Sequence, residues 1–181
     1  MHTRVIGGWG FDSAVLAHLG AAQPWYQTLE LTEPTVLIGW SLGGVVATEA
    51  LDHPLVCGLV TLATPGHFGA QVDPRFFHRL QRSVQRDPGA ALARFHPWIV
   101  GEPFDGKRAD TVQLDQGLAR LAASDCAGSW AQSPVAQLHL VGRDDVLFSD
   151  TDQHAIDGGH GFAWQNRGDT TNAIEAFIDA L

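Results

Sequence analysis

The stretch from Thr35 to Ala50, TVLIGWSLGGVVATEA, constrains the fold more than any other part of the chain. A strand-forming run, Thr35 to Ile38, meets Gly39-Trp40-Ser41-Leu42-Gly43-Gly44, and a segment rich in Val and Ala follows. A buried strand that turns abruptly into a helix needs space at the turn. Glycines two residues either side of Ser41 supply it by removing Cβ atoms. A serine held there projects its hydroxyl above the end of the sheet. Strand–turn–helix units of this kind belong to folds in which strands and helices alternate around a parallel sheet.

The rest of the chain alternates in the same way. TRVIGGWG, from Thr3 to Gly10, reads as a short buried strand entering a glycine-rich turn. DSAVLAHLG reads as a two-turn helix with Asp12 or Ser13 as N-cap and Gly20 as its stop. WYQTLELT, from Trp25 to Thr32, alternates weakly and is expected as a strand. The helix after Ser41 should stop near Asp52, before Pro54, and LVCGLVTLAT reads as the next strand. Between Asp73 and about Ser124 the pattern becomes helical. Phe76, Phe77, Leu80 and Val84 fall at helical spacing with arginines between them, and PGAALARFHPWIV and TVQLDQGLARLAAS continue as helices. AQLHLVG and DQHAIDG return to strand, and TTNAIEAFIDAL closes as an amphipathic helix. The expectation is one domain over residues 1–181. It is an α/β three-layer sandwich with a reduced, mostly parallel sheet and a helical lid inserted at about 68–125.

The 45% hydrophobic and 17% charged content suits a soluble globular protein. MHTRVIGG lacks an apolar h-region and no run approaches the ~18 apolar residues of a membrane span. A cytoplasmic location without a membrane partner is therefore expected. Cys57 and Cys126 both sit in apolar sequence and read as buried free thiols. A net charge of −9 argues against nucleic-acid binding. The charge is uneven, however. Arg75, Arg79, Arg82, Arg86 and Arg94 lie in one segment with Asp87 as its only acid, a net +4 in a chain whose remainder carries −13. Such a patch can attract an acidic partner.

Gly39-Trp40-Ser41-Leu42-Gly43 fits G-x-S-x-G, the nucleophile elbow, and makes Ser41 the candidate nucleophile. The base and its orienting acid should follow in chain order. GRDD, after the strand AQLHLVG, offers two acids; Gly-x-x-Asp spacing selects Asp145, with Asp144 in reserve. Of nine histidines, His160 in DGGHGFAW lies after the last strand, in a loop that flanking glycines free to reach Ser41. His139, within a strand, reads as structural. Two backbone N–H donors are needed for an oxyanion, and Leu42 and Trp9 are the candidates. No metal-ligand spacing stands beside carboxylates.

With those residues in place, GGWGFD, IGWSLGGVVATEALDHPLVCGLVTLAT, GRDD and GGHGF resemble the α/β-hydrolase superfamily. Within it they are similar to the pimeloyl-acyl-carrier-protein methyl ester esterases of biotin synthesis. The likeness touches most of the chain, and its elbow block is the sharply specific part. The resemblance implies an α/β-hydrolase fold with Ser41, Asp145 and His160 as triad. It implies Trp9 and Leu42 as oxyanion donors and as part of the substrate site, with Phe95, His96, Trp98 and Ile99 facing the acyl chain. Lid arginines hold an acidic acyl carrier protein in that family, a role that Arg75, Arg79, Arg82, Arg86 and Arg94 would take. No cofactor is implied. The chain departs from the family in carrying Gly7 before Gly-Trp-Gly and in the short distance from Trp9 to Ser41, which implies that a strand–helix unit is reduced or missing. The alternatives are a generalist carboxylesterase or thioesterase and, from another class, a non-catalytic carrier-binding scaffold.

Overall fold

A computed structural model of the chain describes residues 1–103, 110–148 and 153–181. Part of the expected lid interval and the first residue of DQHAIDG fall outside them. Strand β1 (His2–Ile6) leads through a 3₁₀ helix (Ser13–Leu19) to β2 (Ala21–Gln23). The Asp12 side chain accepts from the Ala14 N–H at the start of that helix, and Gly20 ends it. Strand β3 (Thr35–Trp40) turns into helix α1 (Leu42–Glu49), and β4 (Val56–Leu62) follows. Five helices come next: α2 (Phe68–Gln71), α3 (Pro74–Arg86), α4 (Pro88–Val100), α5 (Thr111–Ala123) and α6 (Cys126–Gln132). Strands β5 (Ala136–Gly142) and β6 (His154–Ile156) and helices α7 (Phe162–Gln165) and α8 (Arg167–Asp179) complete the chain.

The six strands form one sheet in the order β2-β1-β3-β4-β5-β6, every pair parallel. β3 lies inside it with all six residues buried, as expected of a strand covered on both faces. The two covering layers can be read from β4. A Cβ added at Gly58 would meet Val36, Phe177 of α8 and Leu181. Three residues on, and therefore on the opposite face, Thr61 bonds His139, whose ring stacks on Trp130 of α6. Trp130 in turn donates to Thr48 of α1. The structural reading of His139 thus holds, and helices lie on both sides of the sheet.

Two features differ from expectation. Trp25–Thr32 makes no strand among the described residues, although Leu29 and Leu31 pack on the core. Its alternation reports one-sided burial of an irregular segment that opens on a turn. The chain turns directly after the edge strand β2, where the Gln27 N–H donates to Pro24 O at 3.1 Å. The segment returns to β3 without a helix, and this is the reduced unit implied by the short Trp9–Ser41 distance. Both cysteines are free, but only Cys126 is fully buried, and burial pushes its thiol up to about 11; Cys57 is half-buried.

The helical segment is anchored by its own caps. Asp87 ends α3 and begins α4, its carboxylate accepting from the Ala90 N–H, with Pro88 at the first helical position. The one acid within the arginine segment is therefore engaged as a helix cap. Asp110 and Gln113 form a capping box at the start of α5. Phe77 and Val84 of α3 are buried, whereas all five arginines are exposed. Gln81 and Gln85 bond Asp115, holding α3 to α5. No helix among the described residues is long and apolar enough to cross a membrane.

Candidate active site

Ser41 sits at the end of β3 with φ 54° and ψ −118°, a region that side-chain-bearing residues rarely occupy. Its neighbours hold it there. The Ser41 N–H donates to Leu62 O at 2.8 Å, and its carbonyl accepts from the Gly44 N–H at 2.9 Å and the Thr64 hydroxyl at 3.0 Å. The flanking glycines are required by contact. A Cβ on Gly39 would lie 2.3 Å from Gly43 O, and one on Gly44 would lie 2.0 Å from Thr64 Oγ1.

The loop after β6 brings His160 over the serine, with His160 Nε2 3.0 Å from Ser41 Oγ. On the other side, His160 Nδ1 lies 2.7 Å from Asp145 Oδ2. Both side chains are almost wholly buried, at 3% and 0% exposure. Asp145 Oδ1 accepts from the Leu147 N–H at 2.9 Å, so both carboxylate oxygens are engaged. An ionised Asp145 fixes the proton on Nδ1 and leaves Nε2 to accept from the serine hydroxyl. The loop approaches this closely because residue 142 is glycine: a Cβ there would lie 2.3 Å from Gly159 O. Asp144 is exposed, and its N–H donates to Gly158 O; of the two candidate acids, Asp145 is the one that meets the histidine.

Leu42 is the first residue of α1, so its N–H has no partner within the helix. The helix N-terminus also favours negative charge beside Ser41. Trp9 lies in the loop after β1, packed by Phe95 at 4.9 Å between ring centroids, and its indole donates to Leu114 O of α5 at 2.7 Å. Ser41 and His160 border a narrow apolar cavity walled by Trp9, Trp40, Phe68, Phe76, Phe95 and Leu118.

Of the four lid residues expected to face an acyl chain, only Phe95 lines this cavity. His96 is fully buried elsewhere, bonded to the Gly10 carbonyl. Trp98 is 47% exposed and borders an outer groove with Phe76, Arg79 and Arg94. Ile99 is buried away from the cavity. The helical twist explains this: four residues within the five positions 95–99 point around the helix, and one of them faces the site. The Leu42 side chain is likewise absent from the wall and packs near Gly117 of α5. Among the arginines, Arg79 and Arg94 border the outer groove, while Arg79, Arg82 and Arg86 line the adjoining shelf. Arg75 instead pairs with Asp73. Among the described residues no cluster of three or more His, Cys, Asp or Glu could hold a metal.

Trp40 is part of the site although the sequence reading gave it no role. Its indole N–H donates to the His160 carbonyl at 2.9 Å, and its ring packs on Trp164 and Phe11. Gly8 lets it in, since a Cβ at that position would lie 2.5 Å from the indole. The available signal was its place inside G-x-S-x-G; its partner lies 120 residues away. Trp40→Phe keeps an aromatic ring but leaves a buried carbonyl unpaired, a cost of about 1–3 kcal/mol. The expected outcome is a lower Tm and a roughly 10-fold lower kcat from a less well held imidazole, measured by thermal melting and ester hydrolysis.

Similarity to known proteins agrees with this architecture. A pimeloyl-[acyl-carrier protein] methyl ester esterase of Photorhabdus laumondii is 39% identical over 70 residues, 35% of this chain and 27% of that protein. One of the same name from Stenotrophomonas maltophilia is 26% identical over 184 aligned positions, 83% of this chain and 71% of that protein. The chain thus matches well under two thirds of the first of these relatives. Among solved structures, an esterase from Exiguobacterium antarcticum superposes with a TM-score of 0.76 at 13% identity, covering 99% of this chain and 92% of that one. That likeness concerns the fold. The model of the alpha/beta hydrolase family matches residues 7–175, from the Gly-Trp-Gly loop into the last helix, and on that match the chain belongs to this family.

Proposed function

We propose that this chain is a serine esterase working through an acyl-serine, with the methyl ester of a pimeloyl chain on acyl carrier protein as its substrate. One observation carries the reading: Asp145, His160 and Ser41 are joined by hydrogen bonds of 2.7 and 3.0 Å at the end of an apolar cavity. In this mechanism Ser41 Oγ attacks the ester carbonyl as His160 Nε2 takes its proton. The N–H groups of Leu42 and Trp9 receive the oxyanion. His160 then returns the proton to the departing methoxide, which leaves as methanol. Water, activated by the same imidazole, attacks the acyl-enzyme and releases the acid and free Ser41. This chemistry requires no cofactor.

The substrate assignment rests on the relatives' names and on the character of the lid. Apolar walls suit a medium-length acyl chain, and the exposed arginines beside the groove suit an acidic carrier. Methanol release from the carrier-linked methyl ester, compared with hydrolysis of p-nitrophenyl butyrate, tests it. Efficient release that disappears in Ser41→Ala is expected. Turnover of the small ester alone would favour a generalist carboxylesterase, and silence of folded protein on both would favour a carrier-binding scaffold. Arg82→Glu with Arg94→Glu should lower kcat/KM on the carrier-linked ester by roughly 10-fold at low salt and leave the small ester unaffected. The difference should shrink as salt shortens the Debye length to about 8 Å. Equal kinetics for both proteins at low salt would end the docking assignment.

A further inference from the structure

We propose that His96, a residue of the lid, positions the oxyanion loop, so that the lid and the oxyanion hole form one mechanical unit; this rests on the esterase reading. The loop Gly7-Gly8-Trp9-Gly10 has few internal means of holding its shape, since three of its four residues are glycine and Gly10 has φ 75°. It is fixed from outside at three points. The Gly7 N–H donates to Gln23 O of β2 at 2.9 Å. The Trp9 indole donates to Leu114 O of α5. The Gly10 carbonyl accepts from His96 Nε2 of α4 at 2.8 Å. Two of the three therefore come from the lid: one holds the side chain of Trp9, whose backbone N–H is the second oxyanion donor in the proposed mechanism, and the other holds the carbonyl of the next residue.

The contact of α4 with the loop is close. A Cβ on Gly10 would lie 2.8 Å from Leu92 Cδ2 and 4.0 Å from His96 Nε2, so two residues one helical turn apart cover Gly10. The His96 ring also packs on Phe11, with 4.4 Å between centroids, and is fully buried. Because the acceptor is a carbonyl, Nε2 must carry the proton. His96 thereby sets the peptide that follows Gly10, while the Trp9 side chain sets the residue before it. A lid that lifted off this loop would release the oxyanion donor together with the acyl chain.

Gln and Met at position 96 make a matched pair, alike in length and flexibility but differing in the N–H donor, and Met is well tolerated in cores. With p-nitrophenyl butyrate, His96→Met should lower kcat by about 10- to 100-fold, less than the 10²–10³ of deleting an oxyanion donor outright. KM should stay within about 2-fold, and amide hydrogen exchange at residues 7–11 should speed up. His96→Gln should recover most of both. Equal kcat and equal loop exchange in the two variants would overturn the proposal, whether both stay near wild type or both fall with Tm. If the wild-type protein hydrolyses no ester, the esterase reading fails, and exchange alone decides the role of His96. Slower exchange with Gln than with Met would uphold the anchoring, and no difference would reject it.

Discussion

Ser41→Ala is expected to lower kcat on p-nitrophenyl butyrate by about 10⁶-fold, the scale seen when a triad nucleophile is deleted, while the protein stays folded. The two halves of this result have separate causes. Catalysis is lost because Oγ forms the acyl-enzyme in the proposed mechanism, and His160 Nε2 lies 3.0 Å from that atom. Stability is retained because the backbone bonds that fix the elbow, to Leu62, Gly44 and Thr64, use no side-chain atom of residue 41. Alanine inherits the strain at φ 54° but glycine does not, so Ser41→Gly should be more stable than Ser41→Ala by about 1 kcal/mol. Circular dichroism, thermal melting and initial rates on the three proteins are the required measurements. Substantial turnover by Ser41→Ala would remove the serine mechanism.

Asp145→Asn should cost about 10⁴-fold in kcat, whereas Asp144→Asn should stay within about 2-fold of wild type. The carboxylate of Asp145 accepts on both oxygens, from the Leu147 N–H and from His160 Nδ1. An amide has one acceptor and one donor group, so it cannot accept at both places. If its NH₂ faces the histidine, Nδ1 must become the acceptor and the proton moves to Nε2, where it blocks acceptance from Ser41 Oγ. If it faces Leu147 instead, two donors oppose each other at a buried position. Asp144 is exposed and its side chain supports neither arrangement. A pH–rate profile of both variants with a small ester distinguishes them, and a large loss in Asp144→Asn would reverse the assignment.

What the sequence revealed and what it concealed follow from the range of the forces involved. The elbow was readable because its glycines stand in one short pattern around Ser41, although only Gly39 makes room for local chain, at Gly43 and Gly44, while Gly43 admits the Ile6 carbonyl and Gly44 the Thr64 side chain. Asp145 and His160 were readable because acid and base belong in loops that follow strands, and their glycine neighbours mark those loops. Helix α3 was readable from the spacing of Phe76, Phe77, Leu80 and Val84. The failures concern partners distant in the chain. Three-residue β2 is too short to leave a pattern, and Leu29 with Leu31 imitated a strand because the core buries one side of the segment. Trp40 and His96 looked like a generic elbow residue and a lid side chain, since their acceptors, His160 O and Gly10 O, lie 120 and 86 residues away.

The all-parallel sheet bears on how the site comes into being. No two of its strands can be joined by a hairpin, so each pairing closes a longer loop before it is rewarded. The Ser41–His160 bond spans 119 residues, with the entire helical segment folded into that loop. Such non-local closures slow folding, and the triad forms only when β3, β5 and β6 stand in their final order. Activity regained on refolding is therefore a late signal that reports completion of the whole sheet, while helix formation in the arginine-rich segment can run ahead of it.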